Sequence, residues 1–413
     1  MNDSIVLMQD AYDARARLVR SFFEAEAQRL AELCHGMARR FVRGGRLIAF
    51  GVGPAATDAQ HVSVEFVHPV IVGKRALPAL ALPNDIPSAL GGAVAGPGGF
   101  FARQLGIMAR PEDIALGIVH GSFDPGIAAV EEALERATAS GMLSVSLGAT
   151  GGTAAGAQHA FEVDCSDPFV VQEVHETLYH VLWELVHVFF DHRGLLEDRP
   201  SGRAHDSGRS SFLYPFLAED EGDLQGVLHE VRGSILSKAE DVIALRAASA
   251  DPEGLRHTAR LIAERVRSGG KVLALGNGGS ATDAQDLVAD LVAPPGDMSP
   301  VAALSLTNDA AVVTAVANDV GFDNVFARQV IAHGEPSDVV MAISTSGGSR
   351  NVVAAVEEAR RRDLLTVALA GYGGGRLSEI CDRAHPIDAA YIPRIQEGQA
   401  TQYHLLRRLL ATL

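Results

Sequence analysis

The chain has 413 residues, 47% apolar and 21% charged, enough for two ordinary domains that each bury a core. A net charge of −16 excludes nucleic acid as the main partner, because phosphate backbones demand concentrated Lys and Arg. No apolar run reaches the ~18 residues of a spanning helix, acidic residues scattered through Met1–Arg20 exclude a signal peptide or membrane anchor, and three distant cysteines (Cys34, Cys165, Cys381) build no disulfide framework, so the expected compartment is the cytoplasm.

An opening helical segment leads to strands expected at 46–50, 76–82, 114–119, 143–147 and 160–163. The loop after the first is Gly51-Val52-Gly53-Pro54-Ala55, and on the helix that follows, His61 and Glu65 stand four apart and face one way. After the third strand comes Val119-His120-Gly121-Ser122-Phe123-Asp124. A long helix over 171–190 closes this half and carries Gln172 and His180 on one stripe. His175, Glu176 and His187 on the same helix are expected at a surface or interface. Leu178, Leu182, Val186 and Phe189 form an apolar stripe expected to pack against a second helical face. Residues 192–211, rich in Gly, Ser, Arg and Asp, read as a linker, and the apolar 212–216 segment reads as docking on a domain surface.

The second half repeats the order, with strands expected at 271–275, 301–306, 339–343, 365–368 and 384–387 and a closing helix over 396–413. The repeat is literal in places. Gly51 to His61 aligns with Gly276-Asn277-Gly278-Gly279-Ser280-Ala281-Thr282-Asp283-Ala284-Gln285-Asp286, and Gln172 and His180 align with Gln396 and His404. This is a duplicated domain: 1–191 and 212–413, joined by 192–211. Alternating strands and helices with Val, Ile, Leu and Ala in the short runs predict an α/β fold with parallel, doubly covered sheets.

The copies have diverged in opposite directions. The C-terminal half keeps Gly276–Ser280 and the hydroxyl loop Ser344-Thr345-Ser346-Gly347-Gly348-Ser349, both at strand-to-helix turns. Glycines there let backbone N–H groups approach an anion at a helix start. Neither loop fits a Walker A or a dinucleotide fingerprint, so no nucleotide cofactor is expected. The N-terminal half has Val52, Pro54 and Ala55 instead, with Asp124 at the place of Ser349, where a carboxylate repels phosphate.

These loops, with Ala317-Asn318-Asp319 and Arg394-Ile395-Gln396-Glu397, resemble sugar isomerase (SIS) domains, most of all the sedoheptulose 7-phosphate (phosphoheptose) isomerase branch. The resemblance is strong over 226–413 and reaches 1–192 through the repeat. It implies two flavodoxin-like domains, each a five-stranded parallel sheet between helices. Ser280, Ser344, Thr345, Ser346 and Ser349 are similar to the family's phosphate ligands; Asn277, Asp319 and Gln396 fall among its substrate-contacting positions. The resemblance also implies that His61, Glu65, Gln172 and His180 bind a divalent metal such as zinc, with Glu65 and His180 as acid–base pair. The C-terminal equivalents are Asp286, Asp290, Gln396 and His404, a set for a harder cation or none, in which Asp290 and His404 are the candidate acid–base pair. The expected function is a phosphosugar aldose–ketose isomerase, a homodimer whose four domains mimic a tetramer, soluble and acting on a sugar phosphate. The alternative is a non-catalytic phosphosugar sensor or scaffold.

Overall fold

A computed structural model of the chain describes residues 3–71, 74–93, 99–121, 126–152, 154–196 and 223–413. Most of the expected linker, the whole 212–216 segment, and Ser122 and Asp124 lie outside the described residues.

The N-terminal half runs α1 (Asp3–Val42), β1 (Leu47–Phe50), α2 (Pro54–Val67), β2 (Ala79–Ala81), α3 (Ile86–Ala93), α4 (Gly99–Met108), β3 (Ile114–Ile118), α5 (Ile127–Ala139), β4 (Leu143–Ala149), β5 (His159–Val163) and α6 (Pro168–Asp191). The C-terminal half runs α7 (Leu224–Ala248), α8 (Pro252–Arg267), β6 (Val272–Leu275), α9 (Gly279–Val292), β7 (Ala303–Ser305), α10 (Ala310–Val320), α11 (Val325–His333), β8 (Val339–Ser344), α12 (Arg350–Arg361), β9 (Leu365–Ala370), α13 (Gly375–Ile380), β10 (Arg383–Pro386) and α14 (Ile392–Ala411). Each expected strand is present. The two five-stranded sheets are parallel throughout, in the orders β2-β1-β3-β4-β5 and β7-β6-β8-β9-β10, the flavodoxin-like order. Helices cover both faces, which is why β1, β3, β4, β6, β8 and β9 are buried along their whole length. Among the described residues no helix is long and apolar enough to cross a membrane.

The halves exchange helices. Leu228, Val231, Ile235 and Val242 of α7 join the N-terminal core beside Phe23, Leu30, Val174 and Leu182. Met8 and Tyr12, at the start of α1, enter the C-terminal core with Leu255, Val367 and Leu405. Between the copies, α2 meets α9 and α6 meets α14. The expected apolar contact is instead polar at its centre: Gln172, Glu173, Glu176 and His180 face this region from α6, and Gln396, Glu397, Gln402 and His404 from α14, all buried. The stripe Leu178, Leu182, Val186 and Phe189 lies in the N-terminal core, which the apolar face of α7 from the C-terminal half completes. Buried polar groups need partners, and here they find them across the join. His180 Nδ1 lies 2.9 Å from Glu397 Oε1, and His404 Nδ1 lies 3.1 Å from Glu173 Oε1, a reciprocal exchange that marks an approximate two-fold axis.

Candidate active site between the two copies

The C-terminal loops leave β6 and β8, which flank the point where strand order reverses, the usual ligand position in such sheets. Gly278 has φ +58° and delivers the chain into α9, while Gly347 has φ +60° in the hydroxyl loop. The Oγ atoms of Ser344, Ser346 and Ser349 stand 3.2–3.4 Å apart, so three donors converge on one spot. Ser280 is buried in the first turn of α9, and Thr345 is half-buried. Asn277 and Asn351 exchange two amide hydrogen bonds (2.9 and 2.8 Å) that tie the loops together. Asp319 stays outside this group; it is exposed on α10 and accepts from Asn318. In the N-terminal half Gly53 repeats the turn (φ +62°), but Pro54 and Ala55 follow it.

One ligand-type atom each from His61, Glu65 and His180 lies within 4.8 Å of the others, and all three residues are buried. His61 Nε2 is 3.8 Å from Glu65 Oε1. Its Nδ1 is 3.1 Å from the Tyr179 hydroxyl and 3.6 Å from Asp283 Oδ1 of the other copy. Burial, then the charge of His180, lowers His61 well below the usual imidazole range. Burial also raises the Glu65 carboxyl.

The fourth member differs from the expected one. Gln172 turns away and donates to Asp58 Oδ1 (3.3 Å), while Gln396 of the other copy reaches His61 Nε2 (3.0 Å). Glu65 Oε2, His180 Nε2 and Gln396 Oε1 are buried without partners. The start of α9 presses on the same place: a Cβ on Gly279 would fall 1.9 Å from Gln396 Nε2 and 2.5 Å from His61 Nε2. The Gly276–Ser280 loop of one copy therefore abuts the imidazole set of the other.

The dyad-related set is built differently. His404 Nε2 lies 3.5 Å from Asp286 Oδ2 and 3.7 Å from Asp290 Oδ2. Tyr403 donates to Asp286 (2.8 Å), and Thr57 at the start of α2 reaches it at 3.4 Å. Glu173 is gripped by Arg15 at 2.9 Å and held well below the carboxylate range by that cation against its burial. Burial alone would lower His404, but its hydrogen bonds to Asp286 and Glu173 raise it to about 9. Asp290 is pushed well up by burial and by Asp286. Asp290 and His404 thus form part of an internally neutralised ion cluster beside the N-terminal loop that lost its donors.

Glu397, Glu173, Asp283 and Tyr179 were not singled out from the sequence, although the doubled Gln-Glu dipeptides (Gln172-Glu173, Gln396-Glu397) were a usable signal. His175, Glu176 and His187 are buried: Glu176 faces the join between the copies, the interface alternative, while His175 and His187 are held inside the N-terminal half. His187 is bonded to the Trp183 and Arg75 carbonyls.

Residues 239–371 match the SIS domain family. The chain is 42% identical over 153 residues to phosphoheptose isomerase of Rhodospirillum rubrum, spanning 37% of this chain and 81% of the relative. It is 39% identical over 181 residues to that of Akkermansia muciniphila, spanning 44% of this chain and 94% of the relative. The C-terminal domain of glucosamine-fructose-6-phosphate aminotransferase from Francisella tularensis superposes on 98% of the chain and 95% of its own length at TM-score 0.57 and 10% identity, a likeness of fold.

Proposed function

The chain belongs to the SIS-domain family, and from that membership we propose that it is a phosphosugar aldose–ketose isomerase of the phosphoheptose type with one composite site per chain. The C-terminal loops hold the phosphate, and His61, Glu65 and His180 of the N-terminal copy act on the sugar. The observation that carries this reading is Gly279, whose closeness to His61 and Gln396 leaves no room for a side chain between anion loop and imidazoles.

The phosphate sits against the N–H groups that open α9 and the hydroxyls of Ser280, Ser344, Ser346 and Ser349. The carbonyl end then extends toward Glu65 and His180. With Nδ1–H directed at Glu397, His180 presents its Nε2 lone pair inward. That nitrogen removes the proton beside the carbonyl. Glu65, whose carboxyl burial raises, delivers a proton to the carbonyl oxygen, giving a cis-enediol. His180 then gives its proton to the neighbouring carbon while Glu65 takes the proton of the other hydroxyl, which forms the new carbonyl and completes the isomerisation.

His61, Glu65, His180 and the amide oxygen of Gln396 make a donor set that would suit zinc, and Glu65 Oε2, His180 Nε2 and Gln396 Oε1, which have no hydrogen-bond partner, fit that role. When bound, the ion would polarise the sugar carbonyl. The test is turnover of sedoheptulose 7-phosphate by purified protein, metal-stripped and zinc-loaded, beside Glu65→Gln and His180→Asn. Turnover lost in both variants is expected. Tight binding with no turnover under either condition overturns the enzyme and leaves a sensor or scaffold.

A further inference from the structure

The geometry points to a second cation site, inside the N-terminal copy, formed by Asp58, His120 and His175 and suited to a divalent ion of the zinc class. One ligand-type atom from each lies within 4.8 Å of the other two, and all three residues are buried. They come from three elements: Asp58 from α2, His120 from the turn after β3, and His175 from α6. His120 Nε2 is 2.6 Å from Asp58 Oδ2, and the imidazole rings are 5.7 Å apart between centroids.

The surroundings orient these groups as metal ligands are oriented. Gln172 (3.3 Å) and the Tyr179 hydroxyl (3.4 Å) both donate to Asp58 Oδ1, leaving Oδ2 for the site. His175 Nε2–H donates to the Gly148 carbonyl at 3.2 Å, so the lone pair is on Nδ1, which is buried without a partner. Burial, reinforced by His120, lowers His175 to about 3, so this imidazole is neutral over the working pH range.

Asp58 also borders a small cavity at the join that Glu176, Asp283 and Asp286 line, where Glu176 Oε1 and Asp283 Oδ2 have no hydrogen-bond partner. Two imidazoles with one carboxylate favour borderline divalent ions over calcium or magnesium. In repeat register, His120 stands where the other copy has Thr345 of the hydroxyl loop, and His175 where it has Gln399. The N-terminal copy has exchanged an anion pocket for a cation pocket. This holds whether or not the composite site isomerises sugars.

The test removes the inter-copy imidazoles first. Chelator-stripped His61→Ala/His180→Ala protein is titrated with Co2+, following visible absorption and equilibrium dialysis. One cobalt per chain is expected, and adding His175→Gln or Asp58→Asn abolishes it while circular dichroism shows both proteins folded. A folded double variant that binds no cobalt or zinc overturns the site, as does an ion that survives both substitutions. Should the double variant not fold, zinc content is counted in the wild-type background. A drop of one equivalent in His120→Gln and His175→Gln supports the site, and an unchanged count refutes it. Failure of the isomerase reading shows separately, as absent turnover.

Discussion

Replacing Gly279 with Ala tests the meeting of the two copies at a single atom. Gly279 opens α9 without a left-handed φ, so Ala adds no backbone strain, only volume. The new Cβ would lie 1.9 Å from Gln396 Nε2 and 2.5 Å from His61 Nε2. The glutamine can swing aside at little cost, being the end of a flexible chain. The His61 ring cannot, because Tyr179 holds its Nδ1 and the His180 ring packs edge-on at 5.2 Å. Reaching ordinary contact requires the ring to retreat by about 1 Å, a displacement that costs on the order of 100-fold in rate where reacting groups are prepositioned. Overpacking of a buried site adds about 1–3 kcal/mol of destabilisation, and at about 2–4 °C per kcal/mol the thermal midpoint falls by several degrees. Isomerase assays and calorimetry on Gly279→Ala read both effects, with Gly233→Ala, whose Cβ meets open space, as control. Wild-type turnover and midpoint in Gly279→Ala would refute the composite site.

Glu397→Gln loosens the grip on His180 Nδ1, so kcat should drop about 10–100-fold with KM little changed; an unaltered kcat counts against His180 being positioned from the other copy. The raised His404, about 9 against an ordinary 6.5, means that the folded state holds this proton more tightly. Its stabilisation is complete below pH 6.5 and is lost as pH rises through about 9. Urea unfolding at low and high pH should therefore show wild type losing roughly 3 kcal/mol more than His404→Gln; parallel losses would remove the ion-cluster account. Ser346→Ala and Ser349→Ala each delete a donor to a dianion worth about 1.5–3 kcal/mol, so KM for a sugar phosphate should rise about 10–100-fold, and an unmoved KM would place the phosphate elsewhere. Light scattering should give twice the 43.5 kDa of one chain, since α10 buries none of its residues and leaves Val312, Val320 and the adjoining Phe322 exposed; a monomer at micromolar concentration sinks the dimer.

The fold was legible because the six central parallel strands, buried along their whole length, write themselves as short apolar runs, and the edge strands repeat in register beside them. Strand ends drifted where turn chemistry decides them: β2 keeps only Ala79–Ala81 of the expected 76–82. The pairing of Gln396 rather than Gln172 with His61 was not legible. Both glutamines occupy the same place in the repeat, yet Gln172 bonds Asp58 within its own copy and Gln396 reaches His61 across the join. The docking of α7 was hidden for a similar reason, since Leu228, Val231, Ile235 and Val242 announce an apolar face without naming its partner. His120 and His175 are far apart in sequence, and only the strand order brings them within reach.

The exchange of Glu173 and Glu397 between the copies has a consequence for inheritance. In an assembly of identical subunits a substitution appears at each site at once, so no site can change alone. Here each site mixes residues of both copies, with His61 at the centre of one and Asp286 of the other. A gene fusion of this kind lets selection keep one site while the second drifts. The two halves then become mutually dependent, because the Gly279 loop and the His61 imidazole of the retained site are inherited from different copies.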